Sequence, residues 1–301
     1  NLGTRLGDYQ LESPLVAACG TIGSVVEFAE VADLSAYGAA VAKSVSGTPW
    51  EGRKPPRVAA TGNGMLNGIG IQNPGVDRWL TDIGPKIDSL PTEVWGSAVG
   101  KDAAEFGLVA ASLSGSDVTA IEVNLSCPNL ESGRMFALDP VAAAEVVDAV
   151  RASTHLPIGA KLTPNSEDVI AVTSAVMEAG ADWVVLGNTV WGAGFDIETR
   201  RPLLSGVVGG YSGAPIKPIA LRCVWEVSQA LPKVPIIGTG GVSSGNDVVE
   251  FLLAGASAVG VGTAHFASPR IGRRIIKQLR RYMSSHDVAR LPDLIGAVRT
   301  W

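Results

Sequence analysis

The chain has 301 residues, with 24 Lys plus Arg against 29 Asp plus Glu and a net charge of −5, a poor balance for gripping a polyanion, so no nucleic-acid partner is expected. Its 46% hydrophobic and 18% charged residues exclude a disordered chain, and no uncharged apolar run reaches the roughly 18 residues that span a bilayer. Residues 1–8 hold no apolar signal region, the start on Asn1 leads us to expect a few native residues before it, and three cysteines without CxxC or CxxH spacing suit a reducing cytosol, so a cytoplasmic protein with no metal site is expected.

Short β-branched runs alternate with Ala-rich stretches of helical periodicity. In chain order the reading is strand 15–18, helix 25–32, strand 39–43, helix 77–86, strand 94–99, helix 102–113, strand 120–124 and helix 140–153. It continues with strand 157–161, helix 167–179, strand 183–187, helix 216–231, strand 235–239, helix 247–254, strand 258–261 and a last helix over 270–282. Most strands are apolar throughout, as parallel strands covered on both faces are. Eight such units without a linker or composition break predict an α/β protein, one (β/α)₈ TIM barrel domain over 1–301. The alternative, a doubly wound open sheet, lacks a dinucleotide fingerprint. Long connections follow strands two (44–73), four (131–138) and six (188–212), and loops there are expected to be active-site loops at the C-terminal mouth. The last helix sets Arg270, Arg273, Arg274, Lys277, Arg280 and Arg281 against an apolar side of Ile271, Ile275, Ile276 and Leu279, and reads as a solvated face.

The strand ends carry usable chemistry: Lys43-Ser44, Ser97, Asn124, Lys161, Asn188-Thr189, Gly240-Gly241 and Gly262-Thr263. Convergence of several strand ends on one mouth is how a barrel builds a site. The Gly-rich segments 238–242 and 260–264 after strands seven and eight suit a phosphate, of a cofactor or of a substrate. Lys43 and Lys161 are expected to face an anion, since lysine is rarely buried unpaired. Among the asparagines, Asn63 and Asn73 read as turn residues, whereas Asn67, Asn124, Asn129 and Asn188 offer the paired donors and acceptors that an imide-bearing ring needs. Cys19 and Cys223 read as packed cysteines. Cys127, in the polar run Asn124-Leu-Ser-Cys-Pro-Asn129, is open as a nucleophile, a general base or a bystander.

These stretches resemble the class 1 dihydroorotate dehydrogenases. The likeness rests on Ala18-Cys-Gly-Thr-Ile-Gly23, on 65–77 with its Gln-Asn-Pro-Gly wording, on Asn124-Leu-Ser-Cys-Pro-Asn129, on 209–218 and on Ile236-Ile-Gly-Thr-Gly-Gly241. The wording of 65–77 leans to class 1B. The resemblance implies a barrel holding one FMN and oxidising dihydroorotate to orotate, with Cys127 as the base for the C5 proton and the C6 hydride passing to flavin N5. It implies that Lys43, Asn67, Asn124, Asn129, Asn188, Thr189 and the segment Gly68, Ile69, Gly70 and Ile71 hold the substrate. It further implies that Cys19, Lys43, Ser44, Ser97, Asn124, Lys161, Gly187, Gly213, Gly240, Gly241, Gly262 and Thr263 hold FMN, with Lys161 near N1 and the C2 carbonyl. Cys19 stands where the family usually has serine, and Ser97 where it commonly has asparagine. Class 1B also implies a partner subunit carrying FAD and a 2Fe-2S cluster, ending on NAD, in a dimer or heterotetramer. Rival readings are a flavoenzyme acting on a dihydrouracil-like ring, a Schiff-base lyase using Lys161, and a non-catalytic phosphate-binding barrel.

Overall fold

Apolar runs too short to alternate become parallel strands here because helices cover one face and the barrel interior the other. The computed structural model describes residues 2–126 and 135–301. Its strands are β1 (Leu15–Ala17), β2 (Ala39–Val41), β3 (Glu93–Ala98), β4 (Ala120–Asn124), β5 (Ile158–Lys161), β6 (Trp183–Leu186), β7 (Ile236–Thr239) and β8 (Ala258–Val261). They pair in parallel, each with the next and β8 with β1, and close the barrel.

The helices that follow the strands are α1 (Val26–Ala29), α2 (Val76–Asp82), α3 (Ala103–Leu113), α4 (Pro140–Ser153), α5 (Val169–Glu178), α6 (Lys217–Ala230), α7 (Gly245–Leu253), α8 (Ala264–Ala267) and α9 (Ile271–Ser285). Several start where a side chain satisfies the free N–H groups of the first turn. Asp102 accepts from Glu105 N, Asp139 from Val141 N with Pro140 next to it, Asp168 from Ala171 N and Ser244 from Asp247 N. α9 buries Ile271, Ile275, Ile276 and Leu279 and leaves its cations outside. Arg273 meets Asp33 at 2.7 Å there, an exposed pair worth about 0–1 kcal/mol.

Three features depart from the linear reading. A hairpin of Thr4–Leu6 and Tyr9–Leu11 precedes the barrel and closes its N-terminal end. Leu6 and Leu11 pack with Trp95, Trp183, Val16, Val41 and Ile237 in one buried cluster, and Trp95 Nε1 donates to Tyr9 Oη at 3.1 Å. Second, the long connections after β2 and β6 are not plain loops. Segments Val58–Thr61, Gly64–Asn67, Val208–Gly213 and Val190–Ala193 make a four-stranded antiparallel sheet. Each connection folds into its own hairpin, and the two hairpins join through the pairing of Gly64–Asn67 with Val208–Gly213, a contact that no pattern within either segment records. Third, α1 is a single turn, and α2 ends at Asp82 before a 3₁₀ turn, Gly84–Lys86. Pro85 lacks the N–H a continuing helix needs.

Candidate active site

Each barrel strand alternates its side chains between core and interior, so residues two apart share a face. On β4 this puts Glu122 and Asn124 on one face. Register matches Asn124 to Lys161 and Glu122 to Gly159 across β5. The mouth thus receives Asn124 and Lys161 side by side, with Glu122 one layer deeper.

A continuous polar chain crosses the mouth from β1 to β6. Cys19 Sγ lies 3.3 Å from Ser44 Oγ, which lies 2.9 Å from Ser97 Oγ. Asn124 Nδ2 donates to Ser44 Oγ at 3.0 Å, and Ser126 Oγ donates to Asn124 Oδ1 at 2.9 Å. Asn188 Nδ2 donates to Ser126 Oγ, and Thr189 N donates to Asn188 Oδ1 at 2.7 Å. Asn165 Nδ2 extends the chain to the Thr189 carbonyl at 3.0 Å. Buried polar groups held in such a network have fixed orientations, so the mouth presents a preset pattern of donors and acceptors. Cys19 is half-buried and packs against the barrel core cluster, as the sequence suggested, while its Sγ joins this chain; Cys223 is buried. Ser97 lies inside β3 and is buried.

Above the mouth, the four-stranded sheet brings Asn67 opposite Gly210, whose carbonyl accepts from Asn67 Nδ2 at 3.3 Å. The segment Gly68–Ile71 follows directly, with Gly68 N donating to the Arg57 carbonyl and both Gly70 and Ile71 in the left-handed region. Asn73 anchors it. Its Oδ1 accepts from Ser46 N and Gly75 N, and its Nδ2 donates to the Ile71 carbonyl. Lys43 sits half-buried beyond β2, its backbone N–H on the Gly23 carbonyl. No carboxylate pairs with Lys43 among the described residues.

On the other side of the mouth Gly187, Gly213, Gly240 and Gly241 all have positive φ. At Gly241 (φ 73°) an added Cβ would lie 2.8 Å from Lys217 Cβ and 3.0 Å from the Gly213 carbonyl oxygen. Only a bare backbone fits between β7 and the start of α6, which makes a cradle of the kind phosphates occupy. Gly262 and Thr263 lead into α8, whose His265 N closes onto the Gly262 carbonyl. His265 itself is buried between Thr21 Oγ1 and Tyr37 Oη, each at 2.9 Å. Burial pushes its pKa down to about 4, so it is a neutral bolt between the β1 loop and α8.

Inside the barrel an ion pair joins Lys161 Nζ to Glu122 Oε1 at 3.6 Å, with side chains 7% and 3% exposed. Burial raises the Glu122 carboxyl above its ordinary value, and Lys161 partly offsets this. Glu122, Ser126 and Asn165 escaped the sequence reading. The signal for Glu122 was present: a charge two residues before Asn124 in an otherwise apolar strand must share its inward face. Cys127 and Asn129 lie outside the described residues.

Fold and site together define a (β/α)₈ enzyme whose mouth combines a glycine-rich cradle, a hydrogen-bonded row of amides and hydroxyls, and lysines at strand ends. The model of the dihydroorotate dehydrogenase family matches residues 1–283. The dihydroorotate dehydrogenase B (NAD(+)) catalytic subunit of Geobacter sp. (strain M21) is 42% identical over 300 residues, covering 99% of this chain and 98% of its own. The subunit of the same description from Citrifermentans bemidjiense is 43% identical over 300 residues, with the same coverage. Among solved structures, DHODH from Eimeria tenella in complex with ferulenol superposes with a TM-score of 0.80 at 19% identity, covering 98% of this chain and 88% of that one; this likeness shows the fold. The chain belongs to the dihydroorotate dehydrogenase family, in its class 1B branch. It is an oxidoreductase that converts dihydroorotate to orotate in pyrimidine biosynthesis. Among the described residues no helix is long and apolar enough to cross a membrane.

Proposed function

We propose that this chain is the FMN-binding catalytic subunit of a two-subunit, NAD-linked enzyme. The observation that carries the reading is the hydrogen-bonded chain from Cys19 to Thr189, at the barrel mouth where Lys161 lies beside Asn124 in register. A flavin accepts a hydride at N5 and, once reduced, carries negative charge at N1 and the C2 carbonyl. The cradle of Gly213, Gly240, Gly241, Gly262 and Thr263 takes its phosphate, Gly187 lets the ring approach the backbone, and Cys19, Ser44, Ser97 and Asn124 line its edge. Lys161 answers the charge at N1.

Lys43, Asn67, Asn124, Asn129, Asn188, Thr189 and the backbone of Gly68, Ile69, Gly70 and Ile71 hold dihydroorotate. The amides match the imide edge, and Lys43 matches the carboxylate. Cys127 holds the proton leaving C5. The Lys161 amine stands 3.6 Å from the Glu122 carboxylate, a pairing that a Schiff base formed on that nitrogen would forfeit. The connections after β2 and β6, which pair into a sheet over the mouth, exclude water from the site.

The test is the visible spectrum of the purified chain before and after anaerobic dihydroorotate. A flavin spectrum that bleaches is expected; a flavin that stays yellow moves the substrate elsewhere, with dihydrouracil next. The isolated chain, reduced in this way, is expected to pass electrons to NAD only when a partner with FAD and a 2Fe-2S cluster is added. Fast NAD reduction by the chain alone would sink the two-subunit reading. Lys43→Ala is expected to raise KM for dihydroorotate by ten- to a hundredfold, the loss of a charge-assisted hydrogen bond of about 1.5–3 kcal/mol. An unchanged KM would favour a ring without a carboxylate.

A further inference from the structure

The barrel holds a carboxylate that the reaction as described does not use. Glu122 projects inward from β4, one layer below Asn124 and Lys161. Its Oε1 is buried, with the Lys161 ammonium 3.6 Å away, too long for more than a weak hydrogen bond. β3 contributes Trp95 and Ser97, the latter bonded to Ser44. β5 offers Lys161 and the bare Gly159, and β6 offers Trp183 and Val185. Tyr9 of the N-terminal hairpin, bonded to Glu93, lies on the far side of the tryptophan pair. Among the described residues Lys161 is the charge that acts on Glu122.

A charge count follows. With the ring oxidised, one ammonium and one carboxylate cancel. After hydride transfer the ring is negative, and the same ammonium faces two anions, the ring towards the mouth and Glu122 beneath. Away from water, an ionisable group that loses its counter-charge neutralises itself rather than stay charged. The ring needs its charge for the next transfer; the carboxylate can give its charge up.

We propose that Glu122 is a redox-linked proton acceptor: as the flavin gains its two electrons, Lys161 turns its charge to the ring and Glu122 takes a proton from solvent. The balance is complete. The C6 hydride brings two electrons and one hydrogen to N5, the C5 proton goes to the catalytic base, and Glu122 carboxylate plus one solvent proton gives the carboxylic acid. Reoxidation by the electron acceptor returns that proton. Burial, which already raises the Glu122 carboxyl, works in the same direction. Glu122 is thus a positioning and charge-balancing residue, not one that touches substrate.

The inference rests on the flavin reading, and its test separates the two. FMN-loaded protein is reduced with dihydroorotate in weak buffer containing a pH indicator. Wild type is expected to take up one more proton per two electrons than Glu122→Gln, which has nowhere to put it. The reduced-minus-oxidised infrared spectrum of wild type is expected to gain a protonated-carboxyl C=O band that shifts in Glu122→Asp and is missing in Glu122→Gln. Equal proton uptake in wild type and Glu122→Gln overturns the proposal, as does a wild-type spectrum without a new carboxyl band. The infrared comparison of wild type with Glu122→Asp decides the matter even if Glu122→Gln does not fold. A chain that binds no FMN overturns the flavin reading itself.

Discussion

Cys127→Ala is expected to lower turnover at neutral pH by about 10²–10⁴-fold, the usual worth of a positioned general base, while FMN stays bound. Proton removal from C5 then has no acceptor, whereas the glycines of the phosphate cradle and the residues named in the polar chain from Cys19 to Thr189 stay in place. Cys127→Ser separates base from bystander. A free thiol titrates near pH 8.5, and a hydroxyl is a far weaker acid, so the serine variant should recover part of its rate only as pH rises. Stopped-flow bleaching of the flavin across pH checks this. A serine variant as fast as wild type at neutral pH, or an alanine variant that keeps most of its rate, refutes the assignment.

Lys161→Met is expected to cost about 3–5 kcal/mol of stability at neutral pH, because it strands Glu122 as an uncompensated charge inside the barrel. The pH dependence has a definite sign. Without Lys161, the folded carboxyl stays above its unfolded value, near 4.3, so between the two values the folded state binds more protons than the unfolded one. Stability of the variant therefore falls as pH rises through that window, and the deficit shrinks on acidification. Adding Glu122→Leu should recover most of the loss, since apolar replacement of a buried pair is often neutral. Urea unfolding of both variants on either side of the window checks this. A deficit independent of pH, with no recovery in the double variant, would mean that the ion pair does not carry the effect.

Much of the site could be read along the chain because barrel chemistry collects at strand ends. Lys43, Asn124, Lys161 and Asn188 were identifiable as polar residues closing apolar runs, and the structure sets Asn124 beside Lys161 and links Asn188 to Asn124 through Ser126. Ser126 was not identifiable, since a serine in a loop carries no pattern and its role comes only from bridging two amides. Cys19 packs against the core as its apolar neighbours suggest, but its contact with Ser44, in the segment after β2, was not legible along the chain.

What the sequence determined by itself was the order of strands and helices, and hence the parallel barrel, because apolar runs and helix caps are local signals. The likeness to the dihydroorotate dehydrogenases was equally legible, carried by motifs that are contiguous in the chain. What only tertiary structure decided was everything that depends on pairing between distant segments. The sheet over the mouth exists because residues near 64 and near 210 find each other across more than a hundred positions. The hairpin at the barrel floor earns its place by covering Trp95 and Trp183. The meeting of Glu122 with Lys161 depends on barrel register. Hydrogen bonds and Coulomb forces act through space, and a linear pattern records only the part of that space that lies within a few residues.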